Sequence, residues 1–379
     1  VKRVFLVTDF FRPEPGGIEG FFTGIARRWP AGALDVCVTL GNNHYITTPE
    51  ERLQFDRTES YPLHRVAPGG LFGGHEAFDS FLKDRMAAFA PRHVIFGNIS
   101  KSTVRASNLA RNAGINYSLF LTGADLSGKL GMFNFLEKRF VMGARNVFTL
   151  SRHVARRARD AGIPEERTVV IPPGLELRWN RFKKFSVPQE IYEKIQGRTV
   201  LVTFGPLVAR KGLDIAIEAM HRLSGANADQ RKLHLLIVGS GPEHAYIEEL
   251  IKIRGLEKYI TMTGFLPDDQ LAGVLGLAHI FIQPGIAPDD TESMGTSLME
   301  AAHFGLPAIA GKTGVVEEIV RHGISGFTFE PGNVEELCKY IMDLSGSDRL
   351  QMKLGRTARE IAGRDFDLAR TAAAIQTRL

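Results

Sequence analysis

Cysteine is almost missing from this chain: 379 residues carry only Cys37 and Cys338. So few thiols exclude a disulfide framework and fit a reducing compartment. Long apolar runs are missing too. No stretch reaches the length of about 18 residues that a bilayer crossing needs. The chain opens directly on the strand-like VKRVFLVTDF, without a charged and then apolar leader pattern. Zinc-finger spacing, an RNA-binding aromatic signature and a tight basic tract are all absent, so nucleic acid is not an expected partner. The 11 histidines are scattered without ligand spacing, and no bound metal is expected. His279 and His303 fall on a strand and a helix pattern, where a satisfied core or surface role outweighs a ligand role.

What is present is ordinary globular material, 44% hydrophobic and 23% charged, in a length that suits two domains. The net charge of +5 conceals a division. Residues 1–185 hold 27 Lys and Arg against 17 Asp and Glu, whereas residues 186–379 hold 20 against 25. The first half therefore favours an acidic partner such as anionic lipid or a lipid-linked phosphate, although solvated helix faces account for the excess equally well.

Short apolar runs alternate with longer helical patterns. RVFLVTD (3–9), LDVCVTL (34–40), HVIFGN (93–98), YSLFLTG (117–123), NVFTLS (146–151) and RTVVIPPG (167–174) read as strands buried on both faces of a parallel sheet. A polar, basic stretch over 178–198 interrupts the pattern. It restarts with TVLVTFG (199–205), LHLLIVGSG (233–241), YITMTGF (259–265), HIFIQPG (279–285), LPAIAG (306–311) and GFTFEPG (326–332). Two series of β-α units predict an α/β protein with two doubly wound, Rossmann-like domains, residues 1–185 and 186–365. A terminal helix over about 366–379 is expected to pack back on the first. Ligands of such sheets bind outside the carboxyl ends of the strands, so the loops there matter most.

Four of those loops invite chemistry. PEPGGIEG follows the first strand, and Gly16 and Gly17 let the backbone turn before a helix whose unpaired amides suit an anion. A plain turn explains them as well. In GPLVARKGLD, Gly205 ends a strand and Arg210 and Lys211 form a cationic corner suited to a diphosphate. VGSGPE (238–243) is a glycine-rich strand end of low specificity. The fourth is TESMGTSLMEAAHFG, with Glu292 and Glu300 eight steps apart. On one helix those side chains would point about 80° apart. Ser297 and Glu300 fit the S-x-x-E capping box, which leaves Glu292 unexplained.

Taken together these motifs resemble the family-4 retaining glycosyltransferases. The resemblance spans PGGIE, VIPPGLE (170–176), GPLVARKG, the E-x7-E signature ESMGTSLME and the sequel GKTGVVEEIVRHGISGFTFEPGN (311–333). It implies the GT-B fold, two Rossmann-like domains facing across a cleft. It also implies transfer of a hexose from a nucleotide-diphosphate sugar (UDP-sugar or GDP-mannose) without a cofactor or metal. In that family the first glutamate, here Glu292, reads the donor sugar and the second, Glu300, the ribose. Amides over Met294, Gly295, Thr296 and Ser297 meet the sugar and diphosphate. Lys211, with Arg210 and the Gly16 and Gly17 amides, meets the negative charge that builds on the leaving group.

Two departures stand out. The family's usual Gly-Arg-Leu becomes Gly205-Pro206-Leu207, and its HG-x-D motif becomes TG-x-D, with Thr122 for histidine before Gly123 and Asp125. Threonine can hydrogen-bond but cannot carry a proton at neutral pH. The catalytic set expected is Glu292, Lys211, Thr122 and Asp125. The partners expected are a nucleotide-sugar donor and a cell-envelope glycan or lipid-linked acceptor. MFNFLEKRFVMGAR, with aromatics beside Lys138, Arg139 and Arg145, suits either an anionic membrane surface or a buried helix. A cytoplasmic protein peripheral to the inner membrane face is the expectation. Nucleotide or sugar binding without transfer, and nucleotide-sugar epimerisation, remain alternatives.

Overall fold

A computed structural model describes residues 2–40, 47–69, 74–126, 134–224, 232–285 and 294–379. The chain divides into two units. One comprises Val1–Glu176 with Phe366–Leu379, the other Leu177–Asp365.

The first unit is built on a parallel sheet of seven strands: β1 (Val4–Thr8), β2 (Leu34–Thr39), β3 (Leu63–Val66), β4 (His93–Phe96), β5 (Tyr117–Leu121), β6 (Val147–Thr149) and β7 (Thr168–Val170). Their spatial order is β3-β2-β1-β4-β5-β6-β7, so the winding reverses between β1 and β4. The inner strands are buried along their whole length, as their nearly continuous apolar runs require. β3 is the strand that periodicity misses. It pairs on one side only, and its four residues LHRV are half-buried. Its composition is therefore mixed rather than apolar.

The second unit repeats the plan with six strands: β8 (Thr199–Phe204), β9 (Leu233–Val238), β10 (Ile260–Gly264), β11 (Ile280–Gln283), β12 (Ala308–Gly311) and β13 (Gly326–Phe329). Their order is β10-β9-β8-β11-β12-β13, again all parallel and reversing after the first strand of the unit. Both sheets are Rossmann-like. Register makes the two units comparable residue by residue. Val4 pairs with Leu34, and Thr199 with Leu233; Leu6 pairs with Ile95, and Leu201 with Ile280.

The terminal helix Leu368–Arg378 packs against the helix Gly17–Arg27 of the first unit. Glycine permits the approach. A Cβ at Gly24 would lie 2.3 Å from Leu368 Cδ2, and one at Gly174 would lie 2.3 Å from Leu368 Cα. Leu175 N–H donates to the Phe366 carbonyl at 3.0 Å, and Thr371 Oγ1 to the Pro172 carbonyl at 3.0 Å. The glycine of VIPPGLE thus serves packing. The junction expected at 185/186 lies inside the second unit. Trp179, buried in the short helix Arg178–Arg181, packs edge-on against Phe304 at 5.0 Å and ties this polar stretch to the second core.

Candidate functional site

In the second unit the strands end on bare backbone. Gly205, Gly239 and Gly285 take φ of 125°, 137° and 61°, which L side chains rarely adopt. Backbone also packs on backbone there. A Cβ at Gly239 would sit 2.0 Å from the Gly205 carbonyl oxygen, and one at Gly311 1.7 Å from that of Pro284. Around Gly205 itself a Cβ would meet open space, so the requirement there is conformational.

Lys211 closes the short 3-10 turn Ala209–Lys211, which also carries Arg210. Gly212, left-handed at φ 63°, joins that turn to the helix Leu213–Leu223. The Lys211 ammonium lies 3.4 Å from Gln283 Oε1, and its carbonyl accepts from Gly285 N–H at 3.0 Å. Gln283 ends β11, is 3% exposed, and its Oε1 accepts from Ser297 Oγ at 2.9 Å. An ammonium can only donate, so the carboxamide must turn its oxygen toward Lys211. One buried amide therefore joins the cationic turn to the start of the helix Thr296–His303.

That arrangement corrects the capping box. The N-cap is Gly295, at φ 61°, and no side chain caps the helix. Ser297 is its second residue, with its hydroxyl drawn across to Gln283. The left-handed φ at Gly295 favours glycine, and a Cβ there would also crowd Ile319 Cδ1 at 2.4 Å. Glu300 is the fifth residue of the helix and is 4% exposed. Met294 is buried and Thr296 half-buried. Glu292 lies outside the described residues. A cation and two helix N-termini at a strand edge can hold an anion, and a carboxylate deep in one of those helices can accept hydroxyls.

In the first unit the expected residues are engaged with one another. Thr122 donates from both N–H and Oγ1 to Asp125 Oδ2, each at 2.7 Å. Asp125 Oδ1 accepts from Ile99 N–H at 3.1 Å, linking the ends of β4 and β5. Gly16 is the N-cap of Gly17–Arg27 in an extended conformation, and a Cβ there would lie 1.9 Å from Glu19 Oε2. Glu19 thus lies across the glycine turn. Burial pushes its carboxyl up to about 7, against its backbone hydrogen bond and the Arg12 guanidinium, with Glu14 adding to the rise. At the point where the winding reverses, Asp9 N–H donates to Asn98 Oδ1 at 3.1 Å and Asn98 Nδ2 to Asp9 Oδ2 at 3.0 Å. Thr39 Oγ1 donates to the other Asp9 oxygen.

Asp9, Glu19, Asn98 and Gln283 escaped the sequence reading. Gln283 carried a signal, as the one polar residue at the end of the apolar run HIFI. Among the described residues no group of three His, Cys, Asp or Glu could hold a metal ion. Asp365 pairs with Arg364 at 2.6 Å and Arg321 at 3.1 Å, and Asp367 Oδ1 accepts from Ala369 N–H at 2.8 Å.

Two family models match in tandem. Residues 16–174 match the glycosyl transferase 4-like domain, and residues 188–361 match the glycosyl transferases group 1. The chain belongs to the family-4 type of glycosyltransferase. It is similar to the GDP-mannose-dependent alpha-(1-6)-phosphatidylinositol monomannoside mannosyltransferase of Mycobacterium tuberculosis, at 26% identity over 95% of this chain and 93% of that one. It also resembles the putative colanic acid biosynthesis glycosyltransferase WcaL of Salmonella typhimurium, at 29% identity over 56% of this chain and 51% of the relative. Among solved structures, HepE of Anabaena in complex with UDP matches with a TM-score of 0.76 at 19% identity, covering 99% of this glycosyltransferase and 98% of HepE. WaaG, involved in lipopolysaccharide biosynthesis, matches at a TM-score of 0.68 and 18% identity over 98% and 99%. These likenesses establish the transferase as a GT-B protein. Among its described residues no helix is long and apolar enough to cross a membrane.

Proposed function

We propose that this glycosyltransferase moves a hexose from a nucleotide-diphosphate sugar to a cell-envelope glycan or lipid-linked acceptor, with retention of configuration and without a bound metal. The observation that carries the reading is the Lys211–Gln283–Ser297 array at the carboxyl edge of the second sheet. Leaving-group departure builds negative charge on the β-phosphate, and a pre-positioned cation with helix-terminal amides is the electrostatic answer to it. Lys211 supplies that charge with Arg210 beside it. The amides from Met294 to Ser297 meet the sugar and diphosphate, Glu300 takes the ribose hydroxyls, and Glu292 the sugar. In the first unit Gly16 and Gly17 offer amides to an anionic substrate group, and the Thr122–Asp125 pair holds the end of β5 in shape.

The donor is a UDP-sugar or GDP-mannose. HepE was solved with UDP and with UDP-glucose, whereas the mycobacterial relative is named for GDP-mannose. A melting screen with UDP, GDP, ADP and their sugars separates these, because a ligand at 100 times its Kd stabilises by about 2.7 kcal/mol. Transfer to lipid-linked acceptors should fall at least about 100-fold in Lys211→Ala and in Glu300→Gln. Full activity in both variants would sink the assignment.

The acceptor side carries a membrane reading. The helix Phe135–Gly143 exposes Phe135 at 77% and Leu136 at 53% beside exposed Lys138 and Arg139, and is anchored by buried Phe140 and Val141. Apolar tips among cations suit an anionic bilayer surface. Sedimentation with phosphatidylglycerol vesicles should be lost in Phe135→Ser/Leu136→Ser. A second reading, nucleotide binding without transfer, is favoured by Pro206, which removes an amide from the phosphate loop, and by Thr122, whose hydroxyl is given to Asp125. Turnover on any acceptor removes it.

A further inference from the structure

The second unit has a cavity at the end of its sheet opposite the donor loops. It measures about 570 Å³ and lies at the amino ends of β8, β9 and β11, where Thr199, Lys232 and His279 begin or precede those strands. β8 alone runs six residues between this end and Gly205, about 20 Å at the usual rise. A molecule bound here is not the donor.

The lining fits an anion. Arg198, Lys232 and His279 contribute to it together with Thr199, Ser345 and Tyr192, and no carboxylate is among the described lining residues. This is the half of the chain in which acidic residues outnumber basic ones, so the cations here run against the local balance. The Arg198 charge reaches inward. His234, second residue of β9, is pushed down to about 4, chiefly by burial and then by Arg198 and Lys194. His279 is lowered by burial, with Asp348 the carboxylate that opposes the shift. Its Nδ1 accepts from Val200 N–H at 3.1 Å, which leaves Nε2–H as the ring's donor. Ile195 and Leu277 add an apolar wall that a bare inorganic ion would not use. The volume is that of a small-molecule pocket.

We propose that this cavity binds a small organic phosphate, separate from the donor, with Arg198 and Lys232 as its countercharges and the His279 and Thr199 donors around it. Arginine's planar fork and lysine's point charge are complementary phosphate ligands. Lys232 allows a clean test, because its φ of 51° suits glycine better than any side chain. Lys232→Gly therefore removes the charge while relieving the backbone.

Glucose 6-phosphate titrated calorimetrically into the whole chain is expected to show saturable one-site binding that weakens with salt. Lys232→Gly should weaken it about tenfold and Arg198→Ala/Lys232→Gly further, whereas Lys211→Ala should leave it unchanged. Melting curves of each variant report folding. The assignment is overturned if binding survives the double variant, if Lys211→Ala abolishes it, if inorganic phosphate binds as tightly, or if no saturable binding appears.

Discussion

The two units solve one fold in opposite chemical styles at equivalent places. Register aligns Asn98 with Gln283, each a carboxamide just past or at the end of the strand where the winding reverses. In the first unit the amide is spent inward, closing a ring with Asp9 at 3.0 and 3.1 Å. In the second it faces Lys211 and Ser297, and the strands around it end in glycine. A second pair lies at the far end. Asp35 of β2 meets His64 of β3 at 3.1 Å and also Arg85, a charged cluster around a fully buried carboxylate. The equivalent positions in the second unit are His234 and Thr261, a neutral pair at 2.9 Å. The crevice that the first unit fills with a closed side-chain ring carries, among the described residues of the second, glycine backbone, the cationic turn of Arg210 and Lys211, and the Gln283–Ser297 pair. Backbone amides and a cation are what a diphosphate needs.

The sharpest break of that contrast is steric. Gly239→Ala places a Cβ 2.0 Å from the Gly205 carbonyl oxygen at a φ of 137°. A cost of about 4 kcal/mol is expected from overpacking and backbone strain together, read as a fall in denaturation midpoint. Next comes acid. Burial depresses both His93, on Ser118 at 2.9 Å, and His234 to about 4. Unfolded imidazoles take up protons near 6.5, so each contributes stability that is complete above that pH and is lost as pH falls toward 4. The shift corresponds to about 3 kcal/mol apiece as an upper scale. His234→Asn should flatten the acid limb of a urea-midpoint profile; an unchanged limb would contradict the burial argument.

Gln283→Leu tests the hub. It should lower kcat/KM about 100-fold, or about 2.7 kcal/mol, by releasing Lys211 and Ser297. Asn98→Leu should instead cost stability, about 1–3 kcal/mol, by leaving Asp9 short of a donor. Similar kinetic losses in both would erase the distinction between the two amides. The smallest effect is expected at Glu19, partly exposed and titrating near 7. Its raised carboxyl favours the folded state below about 4.5 and costs stability as pH rises through 7. Glu19→Gln should therefore stabilise at pH 8 by about 1 kcal/mol, after discount for solvent screening, and have little effect at pH 4. Equal melting shifts at both values would refute the linkage.

The sheets were legible because both-face burial leaves nearly continuous apolar runs, and β3 was illegible because an edge strand need not be apolar. The cationic turn at Lys211 was legible from Arg-Lys-Gly at a strand end. Its partner was not, since Gln283 and Lys211 are far apart in sequence and meet only through the pairing of β8 with β11. Ser297 misled because the spacing S-x-x-E is satisfied in sequence while the helix begins two residues earlier, with the left-handed Gly295 as its N-cap. Glu19 stood in plain view inside PGGIE, but the burial that shifts it exists only once the helix Gly17–Arg27 has packed.

The return of residues 366–379 to the first unit orders the protein's birth. A nascent chain completes every residue of the second unit before the segment that seals Gly24 and Gly174 has been made. The first unit therefore emerges first and closes last, holding an open apolar seam for as long as the other takes to be synthesised.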